Sequence, residues 1–192
     1  MGKGRIEAFS DGVLAVIITI MVLELHAPHG VDLPALVELV PTFLSYVLSF
    51  VFVGIYWNNH HHLFQTVEHI DGGVMWANNH LLFWLSLVPF ATAWMDQSSF
   101  ATIPVAVYGL VLFMSGLAFY IVARRLVWLN GPDSKLARAL GDDWKGKISP
   151  VLYIVGIASA FLSPWVANGF YVLVALMWLI PDRRIEQAIR RG

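Results

Sequence analysis

The sequence predicts an all-α integral membrane protein with six transmembrane helices, and three observations carry that expectation. The first is composition: of 192 residues, 58% are hydrophobic and 13% charged, with a mean hydropathy of +0.67. Soluble domains hold nearer half apolar and about a quarter charged residues. The second is a series of long intervals free of Asp, Glu, Lys and Arg, at 39–67, 72–95, 97–123 and 148–181. The third is the placement of the basic residues, which cluster at the chain start, between 124 and 147, and in the tail.

A spanning helix needs about 20 mostly apolar residues. Segment 6–25 is the first helix. It holds Glu7 and Asp11 and lacks a small-residue cleavage site before Glu24, so it reads as a retained helix and not as a cleaved signal peptide. Intervals 39–67, 72–95 and 97–123 supply one helix each. Interval 148–181 would make a single helix of about 51 Å, far beyond a hydrocarbon core of about 30 Å, so it is read as a hairpin broken near Ser163-Pro164. The connection 126–147 contains the turn signal Asn130-Gly131-Pro132-Asp133, and 134–140 is expected to form an interfacial helical turn. No linker, low-complexity tract or internal repeat divides the chain, which reads as one domain over 1–192.

Cationic residues near span ends collect on the cytoplasmic side. With both termini inside, Lys3, Arg5, Arg124, Arg125, Lys135, Arg138, Lys145, Lys147, Arg183, Arg184, Arg190 and Arg191 all become cytoplasmic. The outer side then receives Glu24, Asp32, Glu38 and Asp96 and attracts cations. A multi-pass protein of the cell membrane is expected. The net charge of -1 excludes a general attraction for nucleic acid, and the absence of cysteine excludes disulfides, thiolate nucleophiles and Cys-based metal centres.

The first helix stands apart. A dozen residues separate Asp11 from Glu24, about 18 Å of helix, so at least one carboxylate lies at membrane depth or at its edge. Such groups face a protein interior or a water-filled path, and the helix is therefore expected to be central. Arg5 and Asp11 are six residues apart, on different faces, and must find partners on other helices. Trp57, Asn58, Asn59, His60, His61, His62, Asn78, Asn79 and His80 offer donors and acceptors at the matching ends of the second and third helices. On the other side, Gly12, Val16, Thr19, Ile20 and Leu23 form one stripe about 100° wide. Spacing alone favours an ordinary packing face, and periodicity does not identify a pore.

Arg5-x-x-x-Phe9-Ser10-Asp11, continued by Gly12-Val13-Leu14-Ala15-Val16-Ile17-Ile18-Thr19-Ile20-Met21-Val22-Leu23-Glu24-Leu25, resembles the first helix of the bacterial members of the transmembrane protein 175 family of potassium channels. Six helices in a chain of this length is similar to the single-repeat bacterial members. The resemblance implies a homotetramer in the lipid bilayer whose four first helices line a pore for K+ and other monovalent cations. It places the constriction ring at Val16, with Thr19, Ile20 and Leu23 further outward. The family usually has Ile or Leu at the ring, so Val16 departs from its pattern. Arg5, Phe9, Ser10 and Asp11 match its signature, which in the family holds the first helix through polar contacts with the second and third. Trp57, His60, His61, Asn78, Asn79 and His80 are the candidate partners.

Rival readings weigh less. Three consecutive histidines on a regular helix point about 100° apart and cannot bind one ion together, and no HExxH pattern is present. No metal, cofactor or enzymatic activity is expected. A proton- or cation-coupled transporter could use Asp11 and the histidines as a relay, but the first helix has no Pro or Gly between Val13 and Leu25 to break it at mid-membrane.

Overall fold

A computed structural model describes residues 2–141 and 144–179, and every described element is helical. The arginines at 183, 184, 190 and 191 lie outside the described residues. The helices are α1 (Lys3–Leu23), α2 (Leu33–Glu38), α3 (Val40–Gln65), α4 (Gly72–Ser86), α5 (Val88–Gln97), α6 (Thr102–Asn130), α7 (Lys135–Leu140), α8 (Trp144–Ala160) and α9 (Pro164–Leu179). Of these, α1, α3 and α6 are each long and apolar enough to cross a membrane.

Four stretches differ from the sequence expectation. The helix expected over 72–95 is two helices. Pro89 has no amide hydrogen for the Leu85 carbonyl and its ring crowds that turn, so α4 stops at Ser86 and α5 restarts at Val88. The helix expected to end at Ala123 continues through Arg124 and Arg125 to Asn130, where Gly131 at φ +94° turns the chain out. Charge marks where an apolar interval ends, not where backbone hydrogen bonding must. Similarly, α8 begins at Trp144, before the charge-free interval opens. A short helix not expected from hydropathy, α2, is capped by Asp32, whose carboxylate accepts from the Ala35 amide at 3.2 Å. The hairpin break between α8 and α9 falls at 161–163, ahead of Pro164. The expected turn at 134–140 is α7, capped by the Ser134 hydroxyl, which accepts from the Ala137 amide at 3.1 Å.

The long helix α6, not α1, occupies the centre of the subunit. Its apolar stretch is 44% buried against 28% for α1 and α3, and it packs on α4, α5, α8 and α9. Within one subunit α1 packs against α3, α4 and α5. In lipid the tails are as apolar as leucine, so helices associate through close packing and buried hydrogen bonds rather than through escape from water. Both are visible. Ser49 of α3 bonds Thr92 of α5 at 2.7 Å and Tyr108 of α6 at 3.0 Å, all three buried. The Tyr171 ring of α9 lies against Gly109 of α6 and Gly156 of α8, where a Cβ would overlap it, and its hydroxyl donates to the Val105 carbonyl at 3.3 Å.

Charge is segregated along the bundle. At one end Lys3 reaches the Val67 carbonyl, and Arg124, Arg125, Lys135, Arg138 and Lys145 gather around the close of α6, α7 and the start of α8. At the other end Glu24 and Asp96 line one crevice with Thr42 and Gln97. Lys and Arg are absent from the sequence between 6 and 123.

Candidate functional site

The candidate site is α1 and the side chains that hold it. One face, Ile6, Ser10, Leu14, Ile17 and Met21, recurs at helical spacing and is buried against the bundle. The opposite face carries Gly12, Val16, Thr19, Ile20 and Leu23, all exposed in the subunit, with Val16 at 57%, Ile20 at 43% and Leu23 at 71%. The Thr19 hydroxyl donates back to the Ala15 carbonyl at 2.8 Å, which commits its proton and leaves oxygen lone pairs facing outward. Beside Ile20 and Glu24, a groove to α5 is lined by Pro89, Phe90, Trp94 and Gln97.

The polar set near the start of α1 divides in two. Ser10 is fully buried and accepts from the Asn78 amide of α4 at 2.9 Å. With its nitrogen so committed, Asn78 turns its oxygen to His60 of α3, 2.8 Å from Nε2, which therefore carries the proton. Asp11, one residue on, points to the exposed side and accepts from the Trp57 indole at 3.0 Å. Trp57 and Asn78 thus touch α1 directly, and His60 acts through Asn78.

The other sequence candidates lie elsewhere. His61 stacks on Trp57 and bonds Gln65 at 2.7 Å. His80 accepts from Trp84 at 2.9 Å. Asn79 is exposed with no side-chain bond among the described residues, and Asn59 donates to its own helix at Ile55. Arg5 and Phe9 are both exposed, and among the described residues Arg5 has no ion pair within the subunit. This differs from the expectation that α3 or α4 would supply its partner.

Sequence reading missed a second tie, at the basic end. Asp71 caps α4 by accepting from the Val74 amide at 2.8 Å, and its other oxygen pairs with Arg125 of α6. The cap bond first, and then the Arg125 guanidinium, hold the Asp71 carboxyl below its ordinary pKa. Gly73 makes room, since a Cβ there would meet Arg125 Nε at 2.7 Å. Asn130 accepts from the amides of Glu68 and His69 and donates to the His69 carbonyl, fastening the connection between α3 and α4 onto the end of α6. The sequence signal for the cap was Asp71 ahead of Gly72-Gly73; nothing local announced Arg125 as its partner.

Comparison with known proteins places this chain among a family. The family model described as "Endosomal/lysosomal potassium channel TMEM175" matches residues 5–89. A potassium channel of Chryseobacterium sp. (strain P1-3) is 55% identical over 192 residues, covering 100% of both chains. One of Chamaesiphon minutus is 31% identical, covering 92% of this chain and 93% of its own. The crystal structure described as a lysosomal potassium-selective channel TMEM175 homolog from Chamaesiphon minutus superposes with a TM-score of 0.81 at 29% identity, covering 93% of this chain and 96% of that one.

Proposed function

Because this chain belongs to the TMEM175 family of potassium channels, a family of ion channels and not of enzymes, we propose that it forms a homotetrameric, potassium-favouring pore lined by four copies of α1. Each subunit, one domain over 1–192, crosses the cell membrane six times, through α1, α3, the broken pair α4–α5, α6, α8 and α9. Both termini lie in the cytoplasm, which puts the basic end of the bundle inside. Val16 forms the constriction, with Thr19, Ile20 and Leu23 above it, and Glu24 and Asp96 face the outer solution.

The observation that carries this reading is the two-sidedness of α1. Asn78 ties its buried face at Ser10 and Trp57 holds Asp11 beside the exposed one, while the described residues leave the apolar stripe from Gly12 to Leu23 exposed. Around a shared axis that stripe becomes a ring of methyl groups. Such a ring dewets when narrow and, when wider, lets an ion pass only with part of its water removed. K+ releases water more readily than the smaller Na+, so K+ is favoured, and Thr19 oxygens offset part of the loss. Ser10 and Asp11 set the position of the pore helix within the subunit through Asn78 and Trp57. α1 runs unbroken from Lys3 to Leu23, without the mid-membrane break of many coupled carriers.

Reversal potentials in liposomes reconstituted with the purified protein, under opposed K+ and Na+ gradients, test the proposal. A potential displaced toward the K+ equilibrium value, with single-channel steps, is expected. Absence of conductance, or equal permeation of anions, would overturn it.

A further inference from the structure

A ridge of α6 is laid out like a lipid. Ile103, Leu110, Leu117 and Ile121 are exposed in the subunit, between 39% and 53%, and their spacing keeps them in line along the helix. From Ile103 to Ile121 the helix rises about 27 Å, close to a hydrocarbon core of about 30 Å. The next turns of the same ridge are Arg124, exposed, and Trp128, which is 70% exposed. Apolar side chains thus give way to a cation and an indole at the depth where headgroups begin.

The rest of this corner is also basic. α7 is held down by Leu136, only 2% exposed, and presents Lys135 and Arg138 to solvent. Arg125 pairs with Asp71, and its guanidinium carbon lies 4.2 Å from the Trp128 ring centroid. Between 124 and 147 the sequence has six bases against three acids, Asp133, Asp142 and Asp143.

We infer that this corner seats an anionic phospholipid, its acyl chain along Leu117 and Ile121 and its phosphate against Arg124, Lys135 and Arg138. Guanidinium groups match phosphate oxygens in pairs, and juxtamembrane cations favour anionic headgroups. A second copy of this face is a poorer occupant, since it would bring like charges together. The inference rests on the membrane placement proposed above and not on which helix lines the pore.

The full chain is purified in mild detergent with equal phosphatidylglycerol and phosphatidylcholine, washed, and weighed by native mass spectrometry. Wild type retains phosphatidylglycerol preferentially. The variant Arg124→Gln/Lys135→Gln/Arg138→Gln retains several-fold less of it, with phosphatidylcholine and assembly mass unchanged, and Arg124→Lys/Arg138→Lys, which keeps the charge and loses the paired guanidinium contacts, retains an intermediate amount. Equal retention by the glutamine variant overturns the site. So does inorganic phosphate that strips the lipid at millimolar concentration, which would assign the cations to a free anion. Should the glutamine variant fail to assemble, a fluorophore on Leu117→Cys, in a chain otherwise free of cysteine, reads the same contact. Stronger quenching by brominated phosphatidylglycerol than by brominated phosphatidylcholine supports the site. Equal quenching, or a disulfide between subunits at Leu117→Cys, overturns it. Retention is read without ion flux, so a failed pore assignment and a failed lipid site are told apart.

Discussion

The Asn78 amide of α4 donates to the Ser10 hydroxyl of α1 at 2.9 Å across 68 residues of sequence, and both side chains are buried. The same amide accepts from His60 of α3, so three helices meet at one side chain. A hydrogen bond in so dry a place contributes modestly when made and costs more when half of it is removed.

Ser10→Ala removes the acceptor and leaves the Asn78 N–H buried without a partner. A loss of about 1–3 kcal/mol is expected, seen as a lower melting temperature of the detergent-purified protein and a smaller share of assembled channel. Ser10→Thr keeps the hydroxyl and should recover part of it. A melting temperature unchanged in Ser10→Ala would show that the contact contributes nothing.

At Asp11 the ordering of variants separates hydrogen bonding from charge. Asp11→Asn can still accept from Trp57 and should assemble nearly as wild type, whereas Asp11→Ala and Trp57→Phe both break the bond and should weaken assembly. Thermal stability measured on all three checks the order; Asp11→Asn as unstable as Asp11→Ala would mean that the charge, not the bond, matters.

Val16→Asn places four amides at the proposed constriction. Water then wets the ring, and an ion no longer needs to shed its shell in an apolar passage. The cation current should rise and the reversal potential move toward the non-selective value. Conduction and selectivity identical to wild type would remove Val16 from the pore.

Acid should act on the tie between α4 and α6. Because the folded Asp71 carboxyl has a pKa below its unfolded value, its stabilisation is present above the ordinary carboxylate pKa and fades as pH falls through the depressed folded pKa. The stability difference between wild type and Asp71→Ala should therefore shrink as pH is lowered from neutral toward the acid side of that value. A constant difference across the range would exclude ionised Asp71 as the source.

Gly109→Ala introduces a methyl into the Tyr171 side chain, which Gly156 leaves no space to retreat. Overpacking of this kind costs about 1–3 kcal/mol, so a lowered melting temperature with unchanged ion selectivity is expected. A shift in selectivity instead would connect the α6–α9 contact to the pore.

Hydropathy, charge and turn residues by themselves located the apolar intervals, the hairpin turn ahead of Pro164, the helical turn at α7 and the segregation of bases from acids. Each of these follows from the cost of placing one side chain or one backbone group in lipid, a quantity that neighbouring residues in sequence decide. The first helix likewise announced its family by its own residues. What the folded chain alone decided is pairing: that Asn78 and not Asn79 meets Ser10, that Arg125 turns to Asp71, that Arg5 has no ion pair among the described residues, and that α6 takes the centre while the described residues leave the α1 stripe exposed. In lipid every apolar face is soluble, so hydrophobicity cannot rank which helix goes inside. Close packing at small residues and buried hydrogen bonds between distant positions make that choice, and both exist only once the helices are side by side.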